Sequence, residues 1–157
     1  MHLYHLRVRQ NLPLTLQQAW DFFSNPNNLA EITPAWLNFS VTSSLPEKMH
    51  PGMIVTYQVR PWGSLALNWV TEITHVHAPH FFVDEQRDGP YRFWHHQHHF
   101  REVNGGVEMT DVVHYALPFG PLGRLAHYFS VETRLREIFK FRKECLNKIF
   151  NSATSAF

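Results

Sequence analysis

At 157 residues the chain has the length of one domain, and 44% hydrophobic residues, including 13 Phe, supply material for a sizeable core. A formal net charge of +1, with no basic stripe ahead of the last helix, argues against a nucleic-acid binder, and the single cysteine, Cys145, excludes an internal disulfide and a thiolate metal site. No run approaches the roughly 20 apolar residues of a membrane span and the opening MHLYHLRVRQ has no signal-peptide core, so a soluble cytoplasmic protein is expected, one domain over residues 1–150 with a flexible tail at 151–157.

Leu3–Leu12 alternates weakly and reads as a first strand that Pro13 ends. Thr15 is placed as an N-cap with Gln18 as its capping-box partner, and Leu16, Ala19, Trp20 and Phe23 share one face of a short helix over Thr15–Phe23. Asn25-Pro26 breaks that helix; Asn27–Ile32 allows a second, which Thr33-Pro34 stops. Phe39–Ser44 reads as a strand, then Met53–Arg60, with a turn at Arg60-Pro61-Trp62-Gly63, and a long strand from Leu65 past Ile73. After a turn at Ala78-Pro79 come Phe81–Arg87, the turn Asp88-Gly89-Pro90 and the strand Tyr91–Phe100. Asn104-Gly105-Gly106 marks a hairpin into a last strand, Val107–Leu117. A helix from about Leu122 to Phe150 closes the chain. Its apolar stripe runs through Val131, Leu135, Ile138, Arg142, Cys145 and Ile149 and is widened by Leu125, Phe129, Phe139 and Leu146. Strand, two short helices, an antiparallel meander and one long helix make a two-layer α+β domain.

The stretch YRFWHHQHHF is the unusual one, because it carries imidazoles on both faces of a strand. Trp94 and Phe100 share a face with His96 and His98, so that face is expected inward and His95 and His99 outward, as His114 is. By the same argument Met109, Val113, Tyr115 and Leu117 carry Asp111 inward, and Phe82 carries Asp84 and Gln86. Arg142 sits in the seam of the helix between Ile138 and Cys145. Buried charges are costly unless paired, so Asp111 or Asp84 is expected to pair with a histidine or with Arg142. The same residues admit a metal: His96-Gln97-His98 offers two imidazoles on one face, and Asp84 or Asp111 a carboxylate. An H-x-H pair alone is weakly specific, and no metal or cofactor is assigned from it. Cys145 reads as a core thiol, and neither a G-x-S-x-G elbow nor a Gly-rich phosphate loop is present.

Several motifs together resemble the START-like SRPBCC superfamily, which includes birch-pollen-allergen-type, polyketide cyclase/dehydrase and lipid-transfer proteins, and within it the small stand-alone bacterial members. They are Leu12-Pro13, Trp20, Phe22, Ser24, Pro26, Asn28-Leu29 and Thr33-Pro34, then FVDEQ with GPY over Phe82–Tyr91. WHHQHHF at Trp94–Phe100, the segment Asp111–Gly120 and Phe139–Arg142 complete the set. The resemblance implies a helix-grip fold: a curved antiparallel sheet wrapped around the C-terminal helix, with the two short helices closing one end, and a deep cavity for a hydrophobic ligand.

The favoured function is binding, transport or sequestration of a lipid, quinone or polyketide in that cavity. Its walls are expected from Val55, Tyr57, Leu67, Trp69, Trp94, Phe100, Val113, Tyr115, Leu135 and Ile138, with Asp84, Gln86, His96, His98, Asp111 and Arg142 orienting the ligand. The alternative is a cyclase or dehydratase in which His96 or His98 is the general base, Asp111 orients it, and Arg142 or Tyr115 stabilises an enolate oxygen. A transient contact with an anionic membrane would fall on the basic last turns, Arg136, Lys140, Arg142, Lys143 and Lys148, without stable insertion.

Overall fold

The fold is described from a computed structural model, over residues 1–62 and 65–154. Seven strands form one antiparallel sheet: β1 (Tyr4–Leu12), β2 (Ser40–Val41), β3 (Met53–Trp62), β4 (Leu65–His77), β5 (Phe81–Asp88), β6 (Phe93–Val103) and β7 (Gly106–Ala116). Their order is β1-β7-β6-β5-β4-β3-β2. The late strands are therefore sequential neighbours, as hairpin turns require, and the first strand closes beside the last. Because β1 and β2 lie at opposite edges, the chain between them must cross one end of the sheet. It does so as α1 (Leu16–Phe23) and two 3-10 turns, Pro26–Ala30 and Ala35–Leu37.

Local chemistry accounts for the element ends. Thr15 Oγ1 accepts from the Gln18 N–H at 3.2 Å and Gln18 Oε1 accepts from the Thr15 N–H at 2.9 Å, the reciprocal capping box. Asn25 caps the first 3-10 turn through its side chain, and Pro26 occupies the first turn, where a missing N–H costs nothing. Gly106 could hold no other residue: its φ is +153°, and a Cβ there would stand 2.0 Å from the Leu12 carbonyl oxygen of the neighbouring strand. The turn expected at Arg60–Gly63 lies partly outside the described residues. Phe39–Ser44 contributes only a two-residue strand, after which Thr42 and Ser43 continue the contact with Thr56 by isolated hydrogen bonds.

The sheet curves. Its register shifts between Val59 and Trp62 in β3, between Val70 and Thr71, and between Ile73 and His75 in β4, and such bulges bend the strand that carries them. The C-terminal helix lies in the concavity, but it is not uniform. An α-helical segment, α2 (Gly120–Ala126), passes into a wide π turn at His127–Val131 and then into α3 (Glu132–Thr154). The wide turn rotates the helix face. His127 points in, donating or accepting at 2.8 Å with the Tyr115 hydroxyl and stacking on Tyr4 at 3.5 Å, while Leu125 and Phe129, expected on the core stripe, are turned out to solvent. Ile149 is likewise exposed, so Leu135, Phe139 and Leu146 are the buried spine of α3. The helix runs through residues 151–154 of the expected tail; 155–157 lie outside the described residues.

Two hydrophobic clusters hold the layers together. One joins α1, through Ala19 and Trp20, to Val55, Ile73, Phe82 and Phe100 of the sheet and Leu146 of α3. The other joins Leu6, Trp94, Val113 and Tyr115 to Leu135 and Phe139. On β6, Phe100 belongs to the first cluster and Trp94 to the second; His96 and His98 are the inward residues between them.

Candidate functional site: a cavity with a histidine–carboxylate wall

The expected facing of β6 holds residue by residue. Trp94, His96, His98 and Phe100 are buried, and the alternate positions His95, Gln97 and His99 are half-buried on the outer face. His95 and His99 are not simply solvated there. His95 Nδ1 meets Glu85 Oε1 at 2.8 Å, and Gln97 bridges the two imidazoles, so the outer face is tied by its own polar ladder.

Strand register decides the inner contacts. Asp84 is paired with His96 across β5 and β6, and Asp111 with His98 across β6 and β7. Two imidazoles two residues apart thus stand between two carboxylates from the flanking strands. His96 Nε2 is 3.0 Å from Asp111 Oδ1 and its Nδ1 is 3.4 Å from Asp84 Oδ2. His98 Nε2 is 2.8 Å from Asp84 Oδ2. Its Nδ1 lies 3.0 Å from Asp111 Oδ1, a close contact that is off the line of a hydrogen bond. The rings lie 3.8 Å apart, and His98 stacks on Phe82 at 4.2 Å.

The charges follow from this arrangement. Burial would raise both carboxyl groups. For Asp111 the hydrogen bonds and charges of His96 and His98 outweigh it, and hold the group far below the usual carboxylate range. Asp84 is also lowered: burial opposes, while His96, His98 and then Arg142 favour the anion. Burial pushes both imidazoles down. His98, held close to both carboxylates, ends above its ordinary value; His96, repelled by His98, ends below it. The two carboxylates are thus compensated by Arg142 and by the imidazole pair, of which His98 is the member shifted toward its charged form, which is how this much charge persists in a core. Arg142 is packed over the Phe139 ring at 5.0 Å with its Nε buried and unbonded, so it acts on Asp84 through charge, not through a hydrogen bond.

Beside this wall lies a cavity of about 340 Å³ between sheet and helix. Tyr57, Leu67, Trp69, Asp84, Trp94, His96 and His98 line it from the sheet, and Leu135, Ile138 and Arg142 from α3. Six residues expected there do not line it; Val55 is fully buried in the first cluster. Phe100 is spent in the core under Trp20 and Phe23, and Val113 is fully buried in the second cluster. Asp111 stands behind the histidines. The Tyr115 hydroxyl is engaged by His127; burial first, then the Glu132 charge, push it up to about 12. Gln86 instead clamps the β5–β6 turn, donating to the Tyr91 carbonyl at 2.6 Å and accepting from its N–H at 3.2 Å. That clamp presents Tyr91, which packs on Trp69 and Trp94 and lines the cavity, a role sequence reading missed because Tyr91 precedes its strand.

The end of the cavity under the short helices was also missed. Phe22 and Phe23 line it from α1, Trp36 from the second 3-10 turn, and Ile32 and Phe39 from the segments beside the turns; the helical period turns Phe23 toward the core but does not tell core from cavity. Trp36 meets Arg134 of α3, whose guanidinium carbon lies 4.8 Å over the indole, closing part of the mouth.

Residues 12–136 match the family described as polyketide cyclase / dehydrase and lipid transport. The chain belongs to this family. It is a START-like, SRPBCC-type member with the helix-grip α+β fold. A Mycobacterium smegmatis protein shares 18% identity at a TM-score of 0.68, covering 95% of this chain and 92% of that one. One from Nitrosomonas europaea shares 11% at 0.69, covering 96% of each. The Bet v 1-type allergen Ara h 8.0201 shares 10% at 0.65, covering 94% and 99%. At these identities the likeness is one of fold. No curated protein matches the chain. Family membership supports small hydrophobic ligand binding or cyclase-type activity in general, and no helix among the described residues is long and apolar enough to cross a membrane.

Asp111→Asn tests the charge balance. Removing one member of a buried ionic set costs about 3–5 kcal/mol, read as a lower denaturation midpoint at pH 7. The sign with pH follows from the lowered carboxyl groups: their contribution is present above the unfolded value of about 3.9 and is lost as pH falls below it. His98, raised, works the other way, contributing below about 6.5 and losing that contribution as pH rises. Thermal melts from pH 3 to 8 should show a shallower acid limb in Asp111→Asn than in the native chain; identical limbs and midpoints would refute the assignment.

Proposed function

We propose that the protein binds an apolar or aromatic small molecule, of the lipid, quinone or polyketide kind, for transport or sequestration. The carrying observation is the cavity itself: aromatic and aliphatic on most of its wall, with the Asp84, His96, His98 and Arg142 cluster confined to one side. About 340 Å³ falls in the range of small-ligand sites. Each Å² of apolar ligand surface buried there yields about 25 cal/mol, and the polar side would orient a ligand carbonyl or hydroxyl.

Ligand exchange with a lipid surface is the reading that the mouth favours. Phe119, Leu122, Leu125, Tyr128 and Phe129 form an exposed apolar surface on α2 and the π turn, beside the lining residues Leu117 and Val131. Phe119 is 79% exposed and held at φ +66°, a left-handed conformation that costs a non-glycine residue roughly 1–2 kcal/mol. Arg124 adds a cation to the same segment. This surface, rather than the basic last turns of α3, is the one suited to enter a headgroup layer.

A second reading, a cyclase or dehydratase, is favoured by one feature. His96 lines the cavity while Asp111 holds its Nε2, which is how a general base is positioned.

Three measurements separate these. Ile138→Trp fills the cavity from α3 and should weaken binding of a hydrophobic fluorescent probe at least about tenfold, a loss of about 1.4 kcal/mol; unchanged affinity would remove the cavity as the binding place. In flotation with phosphatidylcholine/phosphatidylglycerol vesicles, the double change Phe119→Ser and Phe129→Ser should abolish recovery, whereas Lys140→Glu with Lys148→Glu should preserve it; the reverse would return the contact to α3. Turnover of an aromatic polyketide mimic, lost in His96→Ala and kept in His95→Ala, would establish the enzyme; binding without turnover would establish the carrier.

A further inference from the structure

The two inward histidines present their nitrogens in a defined order. Asp111 and Asp84, both ionised, can only accept: His96 Nε2 meets Asp111 Oδ1 in a hydrogen bond, whereas His98 Nδ1, 3.0 Å from the same oxygen, is off its line. A neutral His96 thus keeps its lone pair on Nδ1, 3.4 Å from Asp84 Oδ2, and the proton that His98 Nε2 donates to Asp84 Oδ2 at 2.8 Å is the one a metal ion would displace. Two imidazole nitrogens thus converge on one carboxylate oxygen, a spot that a proton or a metal ion must occupy.

We propose that Asp84, His96 and His98 form a site for a divalent first-row transition ion of the zinc type, with Asp111 as the carboxylate that orients both imidazoles. One ligand atom from each of the three residues lies within 4.8 Å of the others. Ligands about 2.0–2.1 Å from a tetrahedral ion stand about 3.3 Å from one another, a separation that the 2.8 and 3.4 Å contacts bracket. Two neutral imidazoles and one carboxylate are a donor set that zinc and its neighbours accept, and hard ions such as calcium do not favour. Asp111 accepts the distal N–H of His96 and lies 3.0 Å from the distal nitrogen of His98, the outer-shell placement that orients ligand imidazoles in metal sites.

The surroundings suit an ion that keeps an open position. All three ligand residues line the cavity and Asp111 does not, so the remaining coordination positions face the space where a ligand oxygen or water would stand. Phe82, stacked on His98, and Phe139, edge-on to His96 at 5.8 Å, wall off the sides of the rings. Two carboxylates and two neutral imidazoles carry a charge of −2, which a divalent ion cancels in one step. The Arg142 cation near Asp84 opposes it, and its long side chain is free of hydrogen bonds at Nε to turn aside. This inference goes beyond the ligand-binding reading and stands without it, because the ion needs no organic ligand to be detected.

The test is Co²⁺ titration of the untagged, chelator-treated full chain, followed by the visible d–d absorption of the protein-bound ion. One equivalent should bind and be displaced by Zn²⁺. His98→Ala and the nearly isosteric Asp84→Asn should abolish the band, and Asp111→Asn should weaken binding about 10–100-fold. The double change His95→Ala with His99→Ala, which removes outer-face imidazoles, should leave it intact. Each variant is checked by far-ultraviolet circular dichroism; should His98→Ala unfold, Asp84→Asn decides. The proposal is overturned if no band forms at stoichiometric Co²⁺, if Asp84→Asn keeps it, or if the outer-face double variant loses it. Probe binding in Ile138→Trp is read separately, so loss of the cavity reading and loss of the metal reading are distinguishable.

Discussion

Two imidazoles held between two carboxylates on the concave face of the sheet are the constraint around which the rest is arranged. Taken singly, each of these groups would be expelled from a core or neutralised there, because desolvation of an ion costs several kcal/mol. Together with Arg142 they compensate one another, and the compensation depends on strand register. A slip of one residue between β5 and β6, or between β6 and β7, would bring His95 or His99 inward and leave Asp84 or Asp111 facing apolar side chains. The charge cluster and the register of the three central strands therefore specify each other.

That register in turn shapes the space beside the cluster. Bulges in β4 lie next to Ile73 and Asp84, so the strand bends where the polar wall begins. The helix meets the curved sheet through Leu135, Phe139 and Leu146, and its cavity-facing positions Ile138 and Arg142 are held off the sheet between the two hydrophobic clusters. The cavity is what remains when both clusters are satisfied: one anchors α1 and the end of α3, the other the start of α3. Its chemistry follows from the same division, apolar where clusters end and ionic where β6 passes between them.

Much of the site was legible because side-chain alternation is a local property. Trp94 and Phe100 were enough to turn His96 and His98 inward, and Met109, Val113 and Tyr115 enough to turn Asp111 the same way. Asp84 faces inward with Phe82, though Val83 of the opposite set is buried as well. Facing inward is not the same as facing the cavity. Phe100, Val113 and Asp111 share the inner face with His96 yet are consumed by packing or stand behind it, and Gln86 is taken up by the turn it locks. Nor did the helical stripe reveal the π turn, since Leu125 and Phe129 continue its spacing while the backbone beneath them rotates.

The order of strands and helices, the capped start of α1, the hairpin at Asn104-Gly105 and the inward set on β6 and β7 were all written in the chain itself, because each depends on residues within a turn or a few pleats of one another. Which carboxylate meets which imidazole, how far α3 stands from the sheet, which inward residues border empty space, and that an apolar patch gathers at the mouth were decided only by the tertiary structure. Those features arise from bulges, from register between distant strands and from the pairing of β1 with β7, contacts between residues some hundred positions apart. No periodicity along the chain encodes such distances, so the residues announced a polar wall, and the folding of the sheet around the helix made it one side of a chamber.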